Sequence, residues 1–309
     1  MSRFINRAAF AAVLAASVLA VAACGGNDNS SSTSSPAAGQ KLTKVKLQLQ
    51  WFTQAQFAGY FAAVQQGYYK DAGLDVQILE GGTDIVPQTQ LAQGHADYAI
   101  AWVPKALQSR EQGAGITDVA QVFQRSGTLQ VSFKDKNITT AANLKGKKVG
   151  NWGFGNEFEL FAGMTKAGIN PGKDVTLAQQ QFDMQALLKG DIDAAQAMIY
   201  NEYAQVLEAK NPKTGKLYQP GDFNEINKLV WPSPNGIGIV DKSAWDQTVQ
   251  IAQSTKNADG DTVLTKAPDG LADTNDYAQK ADDALKSQGV DVTGTDFKPI
   301  TVQLKAGGA

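Results

Sequence analysis

Val45-Lys46-Leu47-Gln48-Leu49-Gln50-Trp51-Phe52-Thr53-Gln54-Ala55-Gln56-Phe57-Ala58-Gly59-Tyr60 carries the change of period on which the fold reading rests. Val45, Leu47 and Leu49 alternate with polar residues, the two-residue period of a half-buried strand. From Gln56 to Gln66 the period lengthens, with Phe57, Tyr60, Phe61 and Val64 at helical spacing; Phe57 and Phe61 read as core residues. Gly67 and Gly73 punctuate the passage into a second strand, Leu74 to Leu79. Asp84 to Gln93 is helix-like, and its Pro87 is tolerable only in the first turn. Tyr98 to Trp102 reads as a further apolar strand, and Asp241 to Ser254 as a late helix. Short strands alternating with helices predict an α/β fold with a largely parallel sheet.

A weak internal repeat divides this pattern in two. Leu91 to Ala99 and Leu187 to Ala195 both read Leu-x-x-Gly-x-x-Asp-x-Ala. Each describes a helix end, a glycine able to take the left-handed cap, and a polar turn into a strand. A second unit opens near Leu144-Lys145-Gly146-Lys147-Lys148-Val149-Gly150, which places one lobe before about Phe133 and another after it.

Outward from this core, the N-terminus has a different character. Arg3 and Arg7 precede an uncharged run, Ala8 to Ala20, and small residues lead to Cys24, the pattern of a secretory signal. The run is about 13 residues, short of the roughly 20 needed to span a bilayer. Cys24 is the sole cysteine, so no intrachain disulfide exists. It follows Leu19-Ala20-Val21-Ala22-Ala23, which resembles the lipobox of bacterial lipoproteins; an acylated Cys24 would hold the chain at a membrane. Gly25 to Gln40 contains no large apolar residue and reads as a flexible tether.

Charge and composition exclude several functions. Without Arg3 and Arg7 the 28 basic residues become 26 against 30 acidic ones, a net charge of −4 with no Lys/Arg cluster, so nucleic acid is not an expected partner. One His and one Cys exclude a His- or Cys-based metal site, and no metal or cofactor is expected. A His-based relay would have to use His95 alone, in the polar turn Gly94-His95-Ala96-Asp97, a position that suits solvent better than catalysis. Glu157 and Glu159 lie two apart and diverge on a helix.

In open parallel sheets ligands sit beyond the carboxyl ends of strands. Three such junctions combine aromatic and polar side chains. After the first strand come Trp51, Gln54, Gln56 and Tyr60, flat apolar walls beside amides that both donate and accept, a mixture suited to a planar polar heterocycle. After the second unit's first strand comes Asn151-Trp152-Gly153-Phe154-Gly155-Asn156-Glu157, whose glycines permit close backbone approach and whose Trp152 is the best candidate for a stacking wall. Glu157 is equally a first-turn partner of the helix dipole. The third junction is Tyr200-Asn201-Glu202, with Trp102 at the corresponding place in the first repeat.

Gln50 to Tyr60, Gly67-Tyr68-Tyr69, Gly73-Leu74-Asp75-Val76, Leu91 to Asp97, Leu144 to Gly150 and Asp191-Ile192-Asp193-Ala194 together resemble one family. It holds the substrate-binding proteins of ABC importers related to alkanesulfonate-binding proteins and to thiamine-pyrimidine synthase. Trp51 with Gln54 to Gly59 is similar to the branch that binds pyrimidine precursors of thiamine or riboflavin-like flavins. The resemblance implies a two-lobed periplasmic-binding-protein-like fold with the ligand in the cleft between lobes. It implies a monomeric lipoprotein on the outer face of the cytoplasmic membrane, handing a small heterocycle to an ABC permease and its ATPase. The expected organisation is a signal peptide at 1–23, lipidated Cys24 and tether at 24–43, one lobe from 44–133 plus about 230–309, and the other from 134–229.

Departures from the family bear on activity and architecture. In the synthase branch a lysine that carries pyridoxal phosphate follows the first Leu-x-x-Gly-x-x-Asp turn, with a histidine four residues later; here Ala101 and Lys105 align at those places, and the branch's cysteine cluster is missing. An enzyme of thiamine biosynthesis is therefore the disfavoured alternative. Between Tyr200-Asn201-Glu202 and Trp231-Pro232-Ser233-Pro234 only Gln205 to Leu229 intervenes, where the family has a long helical segment, so either the return to the first lobe is minimal or part of the second lobe is missing.

Overall fold

The computed structural model describes residues 41–82, 84–210 and 229–298. The expected signal peptide, Cys24 and nearly all of the tether lie outside them, as does most of the short 205–229 connection.

The first sheet has the order β2-β1-β3, all parallel, from β1 (Thr43–Gln48), β2 (Leu74–Leu79) and β3 (Tyr98–Ala99). Connecting it are α1 (Ala58–Gln65), α2 (Tyr68–Asp71) and α3 (Pro87–Ala92), and α4 (Val103–Glu111) follows β3. Pro87 occupies the first turn of α3, where its missing N–H has no intrahelical partner to lose. The second set contains β4 (Thr128–Val131), β5 (Lys148–Asn151), β6 (Thr176–Gln179) and β7 (Ala195–Met198). β5 pairs β6 in parallel and meets the lead-in to β7 through a parallel Val149–Ala194 bridge, while β4 pairs β7 antiparallel. Helices α5 (Phe158–Lys166), α6 (Gln185–Lys189) and α7 (Glu202–Glu208) belong to this half. The last helices among the described residues are α8 (Lys242–Ser254) and α9 (Asp276–Ser287).

The internal repeat is real at the level of single hydrogen bonds. Gly94 and Gly190 both take positive φ, 73° and 81°. Asp97 Oδ2 accepts from the Lys46 N–H at 2.8 Å, and Asp193 Oδ2 accepts from the Lys148 N–H at 3.0 Å. The Asp97 and Asp193 N–H groups donate back to the carbonyls of Lys46 and Lys148 at 3.0 and 2.8 Å. In each half, then, an aspartate clamps one residue of a parallel strand, Lys46 within β1 and Lys148 at the start of β5.

Two expectations need correction. Phe61 is not a core residue: it is 37% exposed, because α1 buries none of its side chains and no described element covers its outer face. Phe57 is core, at 4%. The apolar run Tyr98 to Trp102 is strand only over Tyr98–Ala99; Trp102 already caps α4, whose first turn holds Pro104.

The connections between the halves run side by side. Asp118 and Gln121 bridge Asp273 and Gly238, and the Gln124 N–H donates to the Leu229 carbonyl at 2.9 Å. The largest apolar cluster does not respect the division: Leu107 of α4, Phe161 and Met164 of α5, and Trp245 and Val249 of α8 share one core.

Candidate ligand-binding cleft

Strand ends bring the aromatic residues together. Leu49, Trp51, Phe57, Trp152 and Met198 form one buried cluster, with Phe52, Tyr60, Trp102 and Tyr200 packed against it. Trp51 is placed by backbone: its carbonyl accepts from the Gly81 N–H at 3.0 Å. A Cβ on Gly81 would stand 2.6 Å from both the Leu49 carbonyl oxygen and the Trp51 nitrogen, so only glycine allows this approach. Trp152 is held on three sides. Its N–H donates to Gln196 Oε1 (3.3 Å), its indole Nε1 donates to the Gln181 carbonyl (3.2 Å), and its carbonyl accepts from Gln179 Nε2 (3.5 Å). Gly153, Phe154 and Gly155 follow at φ of 72°, 55° and 85°; Phe154 is a rare non-glycine in the left-handed region.

A cavity of about 840 Å³ opens beside this cluster, within the range of small-molecule sites. Trp51, Gln54, Gln56, Tyr60, Trp102, Trp152, Tyr200 and Glu202 line it. Asn151, Glu157 and Asn201 do not. Asn151 ends β5, and its carbonyl accepts from the Gln180 N–H at 2.8 Å. Glu157 caps α5, and burial pushes its carboxyl pKa up although Lys105 opposes the shift. Asn201 precedes α7 and donates through Nδ2 to Glu202 Oε1 at 2.9 Å. Glu202, 1% exposed, also accepts from the Met198 N–H through Oε2 at 3.0 Å; burial raises its pKa. Burial likewise raises Tyr200 and takes Tyr60 up to about 12, helped by Tyr69.

Trp51 and Trp152 touch each other, with ring centroids 5.7 Å apart at 60°. A planar ring sandwiched between two others needs roughly 7 Å of separation, twice the contact distance of stacked carbons. In this arrangement the two indoles form one continuous wall rather than two jaws. Phe52 and Phe182 make a second contact across the halves, at 4.6 Å. A polar contact joins the same halves: Gln50 Nε2 donates to Asn156 Oδ1 at 3.0 Å, and Lys105 Nζ approaches the same oxygen at 3.5 Å.

Three glutamines on the cavity wall carry amide atoms without a partner: Gln50 Oε1, Gln56 Oε1, and both Oε1 and Nε2 of Gln88. An unpaired buried polar group costs about 1–3 kcal/mol. Gln88, 1% exposed, was missed in the sequence. The rule that found the other junctions would have reached it, since Gln88 follows the carboxyl end of β2. The loop there lacks aromatic residues, the signal that marks the other junctions. Arg110 and Arg125 also line the cavity; Arg110 is paired with Asp269, and Arg125 donates to the Pro232 carbonyl at 3.1 Å. His95 is exposed, beside Gln90. Among the described residues no His/Cys/Asp/Glu cluster could hold a metal, and no helix is long and apolar enough to cross a membrane.

The strand-end cleft between two α/β halves defines the class, a two-lobed fold of the periplasmic solute-binding type. Solved structures agree. One from Bordetella bronchiseptica RB50 aligns with a TM-score of 0.58 at 18% identity, covering 80% of this chain and 99% of its own. A protein described as a periplasmic sulfonate-binding component, from Methylobacillus flagellatus KT, aligns at 0.51 and 15% identity, covering 86% and 100%.

The profile of the NMT1/THI5 like family matches residues 54–227, and the chain belongs to that family. Among its relatives, the formylaminopyrimidine-binding protein of Halalkalibacterium halodurans is 23% identical over 201 residues, 64% of this chain and 61% of that one. A 4-amino-5-hydroxymethyl-2-methylpyrimidine phosphate synthase of Aspergillus parasiticus is 28% identical over 160 residues, 49% and 44%. A Haemophilus influenzae protein assigned to thiamine biosynthesis is 28% identical over 152 residues, 49% and 48%. The matches thus span roughly half the length of these relatives.

Proposed function

We propose that this chain is the exported, lipid-anchored solute-binding component of an ABC importer that captures an amino-bearing aromatic heterocycle of the thiamine-pyrimidine type. The observation that carries the reading is the cavity's chemistry: indole and phenol walls combined with the amide residues Gln54 and Gln56. Flat walls favour a planar ring, and acceptor oxygens favour N–H donors over an anionic sulfonate. Trp51, Trp102, Trp152 and Tyr200 act as walls, while Gln54, Gln56 and Glu202 contact the polar edge. Asn151, Glu157 and Asn201 support those side chains from behind. Lobes of 44–133 plus about 230–309, and of 134–229, close on the ligand as a monomer, which Cys24 keeps at the outer face of the cytoplasmic membrane for delivery to the permease and ATPase. The cavity volume of about 840 Å³ exceeds what a single pyrimidine fills, which favours a riboflavin-like ring system as the second reading.

An enzyme of the synthase kind fits less well. Among the described residues no lysine lines the cavity, Ala101 lines it in place of the cofactor lysine, and Lys105 turns its Nζ toward Asn156.

Titration of the purified protein with aminopyrimidines, thiamine, riboflavin and alkanesulfonates tests the reading through tryptophan fluorescence and melting temperature. Ligand at about 100 times its dissociation constant should add about 2.7 kcal/mol of stability. Silence toward every aminopyrimidine and flavin, or a response to sulfonates alone, refutes the ligand class. A pyridoxal-type absorbance abolished by replacing one lysine would instead establish the enzyme.

A further inference from the structure

We infer that the cleft selects a heterocycle carrying a positive charge, and that the Glu159 carboxylate is its counter-ion. This rests on the proposed heterocycle-binding role and adds the ligand's charge to it.

Charge on the cavity wall is unbalanced. Asp97, Asp118, Glu159, Glu202 and Asp241 line it, against Arg110 and Arg125 and no lysine. Both arginines are already engaged. Arg110 pairs with Asp269 and donates to the Ile116 carbonyl, and Arg125 donates to the Pro232 carbonyl at 3.1 Å. Most of the acids are engaged as well. Asp97 accepts from the Lys46 N–H at 2.8 Å, Asp118 from the Ala120 N–H at 3.1 Å, Asp241 from the Ala244 N–H at 2.9 Å, and Glu202 from the Met198 N–H at 3.0 Å. Glu159 is the exception. It is half-buried, and among the described residues it accepts no side-chain hydrogen bond and pairs with no cation.

Glu157 and Glu159 diverge as their spacing requires: Glu157 lies outside the lining and Glu159 on it. Glu159 occupies the first turn of α5, where the helix dipole favours a carboxylate but gives its oxygens no donor. The rings nearby favour the same kind of ligand. Tyr200 is close enough to feel the charge of both Glu202 and Glu159, which add to the burial that raises its pKa. Phe123 meets Tyr200 edge-on with centroids 6.2 Å apart, and both line the cavity with Trp102. Faces of aromatic rings attract cations, so the walls and the carboxylate act together. A neutral heterocycle would leave Glu159 without a partner, and a sulfonate would meet the excess of carboxylates.

Calorimetric titration of the purified full chain tests this with two pairs of ligands, each matched in shape and differing in charge. The first is 4-amino-5-aminomethyl-2-methylpyrimidine, an ammonium at neutral pH, against its neutral 5-hydroxymethyl counterpart. The second is thiamine, whose charge is on a ring, against its neutral 3-deaza analogue. The pairs separate an exocyclic cation from a ring cation. Wild type should prefer the charged member of at least one pair by at least about tenfold. In Glu159→Gln, which keeps the size, that preference should fall to within about threefold, and Glu159→Asp, which keeps the charge, should retain most of it. Melting of the ligand-free variants close to wild type shows that they fold. Equal binding, or a preference for the neutral member, in both pairs overturns the inference without any variant, and the heterocycle-binding role stands. A folded Glu159→Gln protein that keeps the full preference overturns the counter-ion assignment. A wild type that binds none of the four compounds removes the heterocycle-binding role and the inference with it.

Discussion

Lys105 shows how burial and charge compete at a single position. Its side chain lies under Gly155 at the start of α5, with Gly155's missing Cβ leaving room for the aliphatic stem. Burial pushes its ammonium down to about 8, and Glu157 only partly opposes this. The unfolded chain keeps that proton to about 10.4. Between these values the folded state has released a proton that the unfolded state still holds, so stability must rise with pH across this window. Urea titrations at pH 8 and pH 10 should show wild type gaining about 2 kcal/mol relative to Lys105→Met. No difference in slope would mean that the amine stays charged in the fold. Gly81 makes a steric prediction. In Gly81→Ala the new methyl meets the Leu49 carbonyl and the Trp51 nitrogen, so a loss of about 2–4 kcal/mol is expected. Trp51 should move with its backbone, visible as altered tryptophan emission. Gln88 belongs at this scale too: the sequence displays an ordinary glutamine after a proline, and only packing reveals that its amide is unpartnered.

At the level of elements, the aspartate clamps explain why two distant stretches share one pattern. Strand N–H groups need partners, and in each half the aspartate three residues after the turn glycine supplies one, to Lys46 and to Lys148. Asp97→Ala and Asp193→Ala should each cost about 1–2 kcal/mol in urea unfolding. Asp193 should cost more, since it also pairs with Lys136 at 2.8 Å. The two effects should add in the double variant, as the clamps serve different sheets. Strong non-additivity would show that the halves do not pack independently here. The repeat, β2 and α8 were legible in the sequence because each depends on local period and capping; Asp241, whose side chain accepts from the Ala244 N–H at 2.9 Å, begins α8 where the pattern begins. The apparent strand Tyr98 to Trp102 was misread because Trp102 and Pro104 start a helix, and proline chemistry prevailed over hydrophobicity.

For the molecule as a whole, opening and closing of the cleft must contend with two kinds of contact. Phe52 with Phe182, and Gln50 with Asn156, join the halves at their facing edges. Behind them α8 packs against both α4 and α5 within the largest core cluster. A hinge passing through the paired connections at 118–124 and 229–240 can part the first set while leaving the second intact. Phe52→Ala and Phe182→Ala should therefore weaken ligand by about three- to tenfold, chiefly through faster dissociation, measured by stopped-flow fluorescence. Equal dissociation rates would place these rings outside the closing contact.

From sequence alone came the α/β class, the repeat, the aromatic strand ends and the family resemblance, all readable because periodicity, capping and residue type act over short stretches. Tertiary structure decided which of those side chains share a cavity. It joined Trp51 to Trp152 as a single wall, although they lie far apart in the chain. It moved Asn151, Glu157 and Asn201 behind the lining and brought Gln88 forward. The reason is physical: whether a polar atom is paired depends on neighbours from remote segments, and no local pattern records them.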